Sequence, residues 1–183
     1  KAGYAAVGEF HYVHHQPGGQ AYDNPAELSL QIIQPAALTG IGLTHLPVLY
    51  TYGGLQAQPL AGGQLRFGNS VDAFCDIVSL SEKAMAALPA DTCIGIAPHS
   101  LRATSESDLR QALDLHAGMP VHMHIAEQTK EVEEVAAIRG ARPVEWVLGQ
   151  CEVNEQWCLI HATHMTESET TALAKSGAVA GLC

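Results

Sequence analysis

Six short runs rich in small and β-branched residues alternate along the chain with amphipathic stretches, and no other feature limits the fold as tightly. The runs 4–11 (YAAVGEFH), 41–49 (IGLTHLPVL), 93–98 (CIGIAP), 120–125 (PVHMHI), 158–163 (CLIHAT) and 178–182 (AVAGL) read as strands. Between them the spacing predicts helices over 25–39, 70–87, 105–116, 128–138, 143–148 and 167–175. Asn24 before Pro25, Ser105 before ESDL and Thr166 before ESE are the predicted helix starts. Strands that alternate with helices build a parallel sheet covered on both faces, either an open doubly wound sheet or a (β/α)8 barrel. The stretch Tyr50 to Asn69, YTYGGLQAQPLAGGQLRFGN, is too long for an ordinary connection and begins where a strand ends. It is either an active-site loop or a solvated insertion.

The polar residues decide between the two architectures. No GxGxxG or P-loop follows a strand, which removes the usual nucleotide signatures. Instead, metal-competent residues sit at or just past the carboxyl ends of several runs: Glu9 and His11, His45, His99, His124 with Glu127, and His161 with His164. Barrel enzymes collect their chemistry at that end. A complete barrel takes about 250 residues and seldom fewer than about 200. The 183 residues are therefore expected to form an incomplete TIM-like barrel lacking its first and last units, one domain with no second. Lys1 and Cys183 read as cut edges of a longer chain.

Nineteen acidic residues against nine basic ones give a net charge of -10 without a Lys/Arg cluster, so nucleic acid and anionic membrane surfaces are excluded as partners. A small-molecule substrate is expected, and a homodimer is left open. No apolar run approaches the ~18 residues of a membrane span. Five cysteines, an odd number with no CxxC pair, suit a reducing cytoplasm better than a disulfide framework.

A buried strand gains nothing from an imidazole unless the ring finds a partner, since an unpaired polar group costs about 1–3 kcal/mol. Any one histidine reads adequately as a satisfied core or surface residue; histidines at several strand ends point to a site. In VHMHIAEQ, residues 121–128, His122 and His124 share one face of a strand. His124 is nearer the strand end and is the favoured metal ligand, with His122 either packed beneath it or the second member of an HxH pair. Glu127 is placed to take a proton from an activated water, or else to help start the next helix. His161 ends the following strand and can stabilise charge at the reacting centre; His164 reads as a loop residue. One imidazole and one carboxylate do not hold zinc, which takes three protein ligands in catalytic sites, so further ligands are expected outside the chain. In APHSLR, residues 97–102, His99 ends a strand and Arg102 suits a carboxylate gripped by two parallel hydrogen bonds, or a surface pairing with Glu106. Tyr12 and His11 are further candidate hydrogen-bond donors.

HMHIAEQ, followed one βα unit later by LIHATH and preceded by APHSLRA, resembles the amidohydrolase superfamily of metal-dependent barrel hydrolases, in its deaminase branch. GEFHYVHH, together with HSLRA and HIAEQ, is similar more narrowly to the N-formimino-L-glutamate deiminases of bacterial histidine breakdown. The resemblance implies zinc-dependent hydrolytic deimination of N-formimino-L-glutamate to N-formyl-L-glutamate and ammonia. It implies one Zn2+ held in part by His124, Glu127 as proton shuttle and His161 assisting at the reacting centre. His99, Arg102 and Tyr12 would meet the substrate. The family's HxH on the first strand and Asp on the last have no match in the chain, so this piece alone is expected to be inactive. Three other readings stand beside it: a deaminase acting on a purine or triazine-like ring, against which an aromatic content of 5% speaks; a catalytically silent barrel; and an independently folded binding module.

Overall fold

A computed structural model describes residues 3–183. Its strands are β1 (Ala6–His11), β2 (Gly42–Leu49), β3 (Cys93–Ile94), β4 (Ala97–Pro98), β5 (Val121–Ile125), β6 (Trp157–His161) and β7 (Val179–Gly181). Helices α1 (Glu27–Thr39), α2 (Val71–Met85), α3 (Glu106–Leu115), α4 (Thr129–Arg139), α5 (Pro143–Gln150) and α6 (Glu167–Ser176) fill the intervals. Each predicted strand and helix is present, with ends shifted by a few residues. The run 93–98 alone is split in two. Both pieces lie along β2 in one register, Thr44 opposite Cys93 and Val48 opposite Ala97. The break falls at Gly95, where a Cβ would sit 2.4 Å from the Pro120 carbonyl oxygen and 2.8 Å from Leu46 Cδ2. Only a glycine lets the neighbouring backbone come that close.

All strand pairings are parallel. β1, β2 and the β3–β4 strand form one group, and β5, β6 and β7 a second. Backbone hydrogen bonds join them across β4 and β5: Ile96 N–H to Pro120 O at 2.9 Å, His122 N–H to Ile96 O at 3.0 Å and His124 N–H to His99 O at 2.9 Å. The result is six consecutive strand positions in sequence order. β1 and β5 are three steps apart in that order, which in a flat sheet means about 14 Å. Yet the Phe10 ring at the end of β1 has its centroid 4.3 Å from that of His124 on β5. The sheet is therefore strongly curved, with β1 and β5 facing each other across a concave interior. Among the described residues the arc does not close, because β1 and β7 each pair with one strand only.

The convex face carries the main core. Val121, Met123 and Ile125 of β5 and Trp157 and Leu159 of β6 pack with Phe74 of α2, Leu109 of α3, Val132 and Val135 of α4 and Val147 of α5. Burying such a side chain stabilises by roughly 1.5–3 kcal/mol. The strict alternation of β5 then sends His122 and His124 to the concave face, where both are less buried than their helix-facing neighbours. A smaller cluster of Leu46, Val48 and Ala97, with Phe10 and Tyr50 against it, lines the concave face.

Two of the three predicted helix starts hold. Ser105 Oγ accepts from Asp108 N–H at 3.0 Å. Thr166 Oγ1 accepts from Glu169 N–H at 3.2 Å while the Glu169 carboxylate accepts from Thr166 N–H at 2.8 Å, a reciprocal capping box. Asn24 does not cap a helix. Its side-chain oxygen accepts from Ala26 N–H, closing a turn that holds Pro25, and α1 begins only at Glu27.

Candidate active site at the carboxyl ends of the strands

Curvature brings the ends of β1, β2, β4, β5 and β6 around one hollow. His124 is in its middle: its ring lies 5.1 Å from that of His99 and stacks on His161 with centroids 5.3 Å apart. Burial, with His161 adding to it, lowers the pKa of His124, while the His99 backbone and then Glu127 pull the other way. The balance favours the neutral ring, the form that can ligate a metal. Its Nδ1 is buried and has no partner, although a buried polar atom is almost always satisfied. A neutral imidazole with an orphaned nitrogen in a hollow of polar groups fits a divalent metal. Among the described residues no three His, Cys, Asp or Glu side chains are grouped to hold one.

Glu127 follows β5 on a turn that begins with Ala126 in the left-handed region, at φ 48°. Its Oε2 is 3.9 Å from His161 Nε2. His161 and Ala162, at the end of β6, also have positive φ, 71° and 48°. Two consecutive strand ends therefore hold non-glycine residues in a conformation that costs about 1–3 kcal/mol each. The turns are tied to each other, Ala162 N–H to Ile125 O and His164 N–H to Ala126 O, both at 3.0 Å. His164 thus serves through its backbone, as a loop residue.

His99 shares one ring nitrogen with the Tyr12 hydroxyl and the other with Ser100 Oγ, both at 2.9 Å. Burial, then the neighbouring His124 and Arg102, push its pKa down to about 3, so it is neutral. Burial, with Tyr50 and Glu127 adding to it, raises the Tyr12 pKa and keeps the hydroxyl a donor. Arg102 is close enough to act on Tyr12, His99 and His124, and its Nε is buried without a partner. The alternative pairing of Arg102 with Glu106 is not formed; Glu106 pairs with Arg110 at 2.9 Å.

Three residues expected near this hollow face away from it. Glu9 and His11 alternate with Phe10 and point to the convex side of β1, His11 Nδ1 3.7 Å from Glu9 Oε1. His45 sits mid-strand in β2, fully buried on the same side, its ring 5.0 Å from that of His11. Strand alternation forbids both neighbours in FH and in TH from reaching one face.

The sequence reading also missed residues. Phe10, Tyr50 and Phe67 join Tyr12 in an aromatic wall, with Tyr50 centred 4.7 Å from His99 and Phe67 5.4 Å from Tyr12. The 50–69 stretch is therefore a loop of this site, folded back through a 3-10 turn over Gly62–Arg66. Four of the eight Phe and Tyr side chains gather here, so low aromatic content overall is no argument against an aromatic-lined pocket. Phe10 was legible from its two-residue spacing to Tyr12; Phe67, at the far end of a loop, carried no local signal.

A parallel α/β arc with two stacked histidines and a carboxylate at adjoining strand ends makes the chain similar to amidohydrolases. Its similarity runs to the deaminases: over its whole length it is 47% identical to formimidoylglutamate deiminase of Pseudomonas aeruginosa, of which it covers 40%. A crystal structure of an amidohydrolase from Brucella melitensis superposes on the entire chain with a TM-score of 0.96 at 44% identity, and the chain covers 40% of it. An adenosine deaminase from Xanthomonas campestris with bound zinc shares the fold over 87% of the chain, which covers 33% of that structure, at a TM-score of 0.64 and 19% identity. No family model matches the chain. The chain spans about two fifths of the length of the curated relative and the solved amidohydrolase it matches.

Proposed function

We propose that the chain is the central part of a zinc-dependent (β/α)8 barrel that hydrolyses N-formimino-L-glutamate to N-formyl-L-glutamate and ammonia. One observation carries the reading: Glu127 lies within 4 Å of His161, which stacks on His124, whose buried Nδ1 lacks a partner. The 47% identity to a formimidoylglutamate deiminase supports the substrate. His124 is the zinc ligand within residues 3–183, and the remaining ligands and the strands that close the barrel come from the rest of the protein. When bound, zinc lowers the pKa of water toward about 7, which makes hydroxide available at neutral pH.

The chain's own residues do the rest. Glu127 takes the water proton and delivers it to the departing nitrogen, a role worth about 10²–10⁴-fold when well placed. His161 donates to the oxygen on which charge develops. Arg102 grips a substrate carboxylate, and Tyr12, held in place by His99, donates a second hydrogen bond to it. Arg102 supplies the local positive charge that a carboxylate substrate needs in a protein segment of net charge -10. The acidic surface supports small-molecule rather than nucleic-acid partners, and five free cysteines suit a reducing cytoplasm.

The test is ammonia release by the full-length protein from N-formimino-L-glutamate, adenosine and guanine in parallel. Turnover of the formimino substrate alone is expected. Turnover of a purine alone would replace the proposed substrate with a ring, which the aromatic wall could stack. Glu127→Gln is expected to lower kcat at least about a hundredfold with zinc retained; an unchanged kcat would favour a catalytically silent barrel.

A further inference from the structure

The carboxylate that fixes the geometry of Glu127 is another glutamate. Glu131, in the first turn of α4, is only 3% exposed and turns away from solvent, beneath the β5–α4 turn. Its Oε1 accepts from Ala126 N–H at 3.2 Å and its Oε2 from Glu127 N–H at 3.1 Å. On an ordinary helix surface two glutamates four residues apart repel each other by a few tenths of a kcal/mol. Burying one of them beneath the other therefore needs a compensating interaction, and the two backbone N–H groups provide it.

Those N–H groups belong to the peptides on either side of Ala126, whose φ of 48° is disfavoured for a residue with a Cβ. Without the clamp, the turn relaxes toward φ < 0 and Glu127 swings off its line to His161. The opposite side of the turn is already held, since Ala126 O and Ile125 O accept from the β6 turn. Glu131 thus completes a two-sided hold on the residue that carries the carboxylate. An amide cannot replace it, because a glutamine offers one acceptor and would point its NH2 donors at the second N–H.

We infer that Glu131 is a positioning residue for the proton transfer, acting on Glu127 through the backbone of residues 126 and 127. The inference rests on the proposed role of Glu127 and goes beyond it. The experiment is a double-mutant cycle in the full-length protein: Glu131→Ala and Glu131→Gln, each alone and combined with Glu127→Gln, with kcat, KM and zinc content measured for every variant. Glu131→Ala is expected to lower kcat by about 10- to 100-fold, within the loss that misplacing a catalytic group produces, with KM changed less than about threefold and zinc retained. Glu131→Gln is expected to lower kcat by a smaller factor, which covers the case in which the alanine variant does not fold. In the Glu127→Gln background neither change should lower kcat further. A full second loss there would show that Glu131 supports the fold at large and would overturn the inference, as would single variants with unchanged kcat. A Glu127→Gln protein with wild-type kcat overturns the role of Glu127 itself, and the inference with it, by a different signature.

Discussion

His124 carries the greatest weight of any single residue, and its neighbours show why. The ring is neutral because burial and His161 press its pKa down, and its Nδ1 is buried with nothing to accept from or donate to. As the proposed zinc ligand, His124 should be replaceable at the cost of the metal and without disturbing the sheet, whose core lies on the other side of β5. His124→Ala is expected to lower the zinc content of the full-length protein from about one per chain to near zero, read by elemental analysis, with far-ultraviolet circular dichroism unchanged. Zinc retained at the wild-type level would mean that the ligand is elsewhere. Arg102 belongs to the same scale. A charge-assisted pairing with a carboxylate contributes about 1.5–3 kcal/mol, so Arg102→Ala should raise KM for N-formimino-L-glutamate by about 10- to 100-fold with a smaller change in kcat. Arg102→Lys should recover little of this, since a lysine cannot make the paired contact. An unchanged KM would remove Arg102 from substrate binding.

At the scale of elements, β1, the segment that follows it and β2 carry a second group of imidazoles, gathered around His11 on the side of the sheet away from the hollow. His45 is fully buried with neither ring nitrogen partnered; His14 gives its one visible hydrogen bond to the Val48 carbonyl, at 3.0 Å. Burial first, and then the adjacent His11, push both pKa values down to about 3. Glu9, paired with His11, and His15 are the other titratable groups nearby. An unfolded chain takes up these protons near pH 6.5, the native one not until near 3. Stability is therefore lost as pH falls through that window, by up to about 1.4 kcal/mol per pH unit for each ring. The thermal midpoint of the full-length protein should decline from pH 6.5 to 4.5, and His45→Leu, which removes one of the two rings at similar volume, should make the decline visibly shallower. An identical slope in that variant would sink the argument. These histidines also mark the limit of what the sequence shows. The order of elements was legible because each strand and helix has its own period and punctuation, and His99, His124 and His161 could be singled out because they stand at strand ends, with Arg102 in the turn three residues past His99. Whether a histidine one position earlier faces the hollow or the helices depends on strand phase, which put His11 and His45 on the wrong side. Tyr50 and Phe67 depend on how a twenty-residue loop folds back, and Glu131 on a turn whose backbone no local pattern announces.

For the molecule as a whole, the question is whether residues 1–183 make a stable unit by themselves. The strand order is continuous from β1 to β7, and the helices bury the convex face well, which argues for partial structure. The concave face is less well served: its own cluster is small, and His122, His124 and His161 occupy positions that the interior of a closed barrel would surround. At the two edges Val7 is 41% exposed, Val179 55% and Leu182 87%, beside backbone groups of parallel strands with no partner. Parallel sheets are found with both faces covered, and an open apolar edge invites pairing with another chain rather than solution as a monomer. The polypeptide 1–183 should therefore show helical circular dichroism but a broad, weak thermal transition and a tendency to associate, whereas the full-length protein should melt in one sharp step. A sharp, reversible and concentration-independent transition for 1–183 would show instead that the arc is self-sufficient, and would revive its reading as an independent binding module.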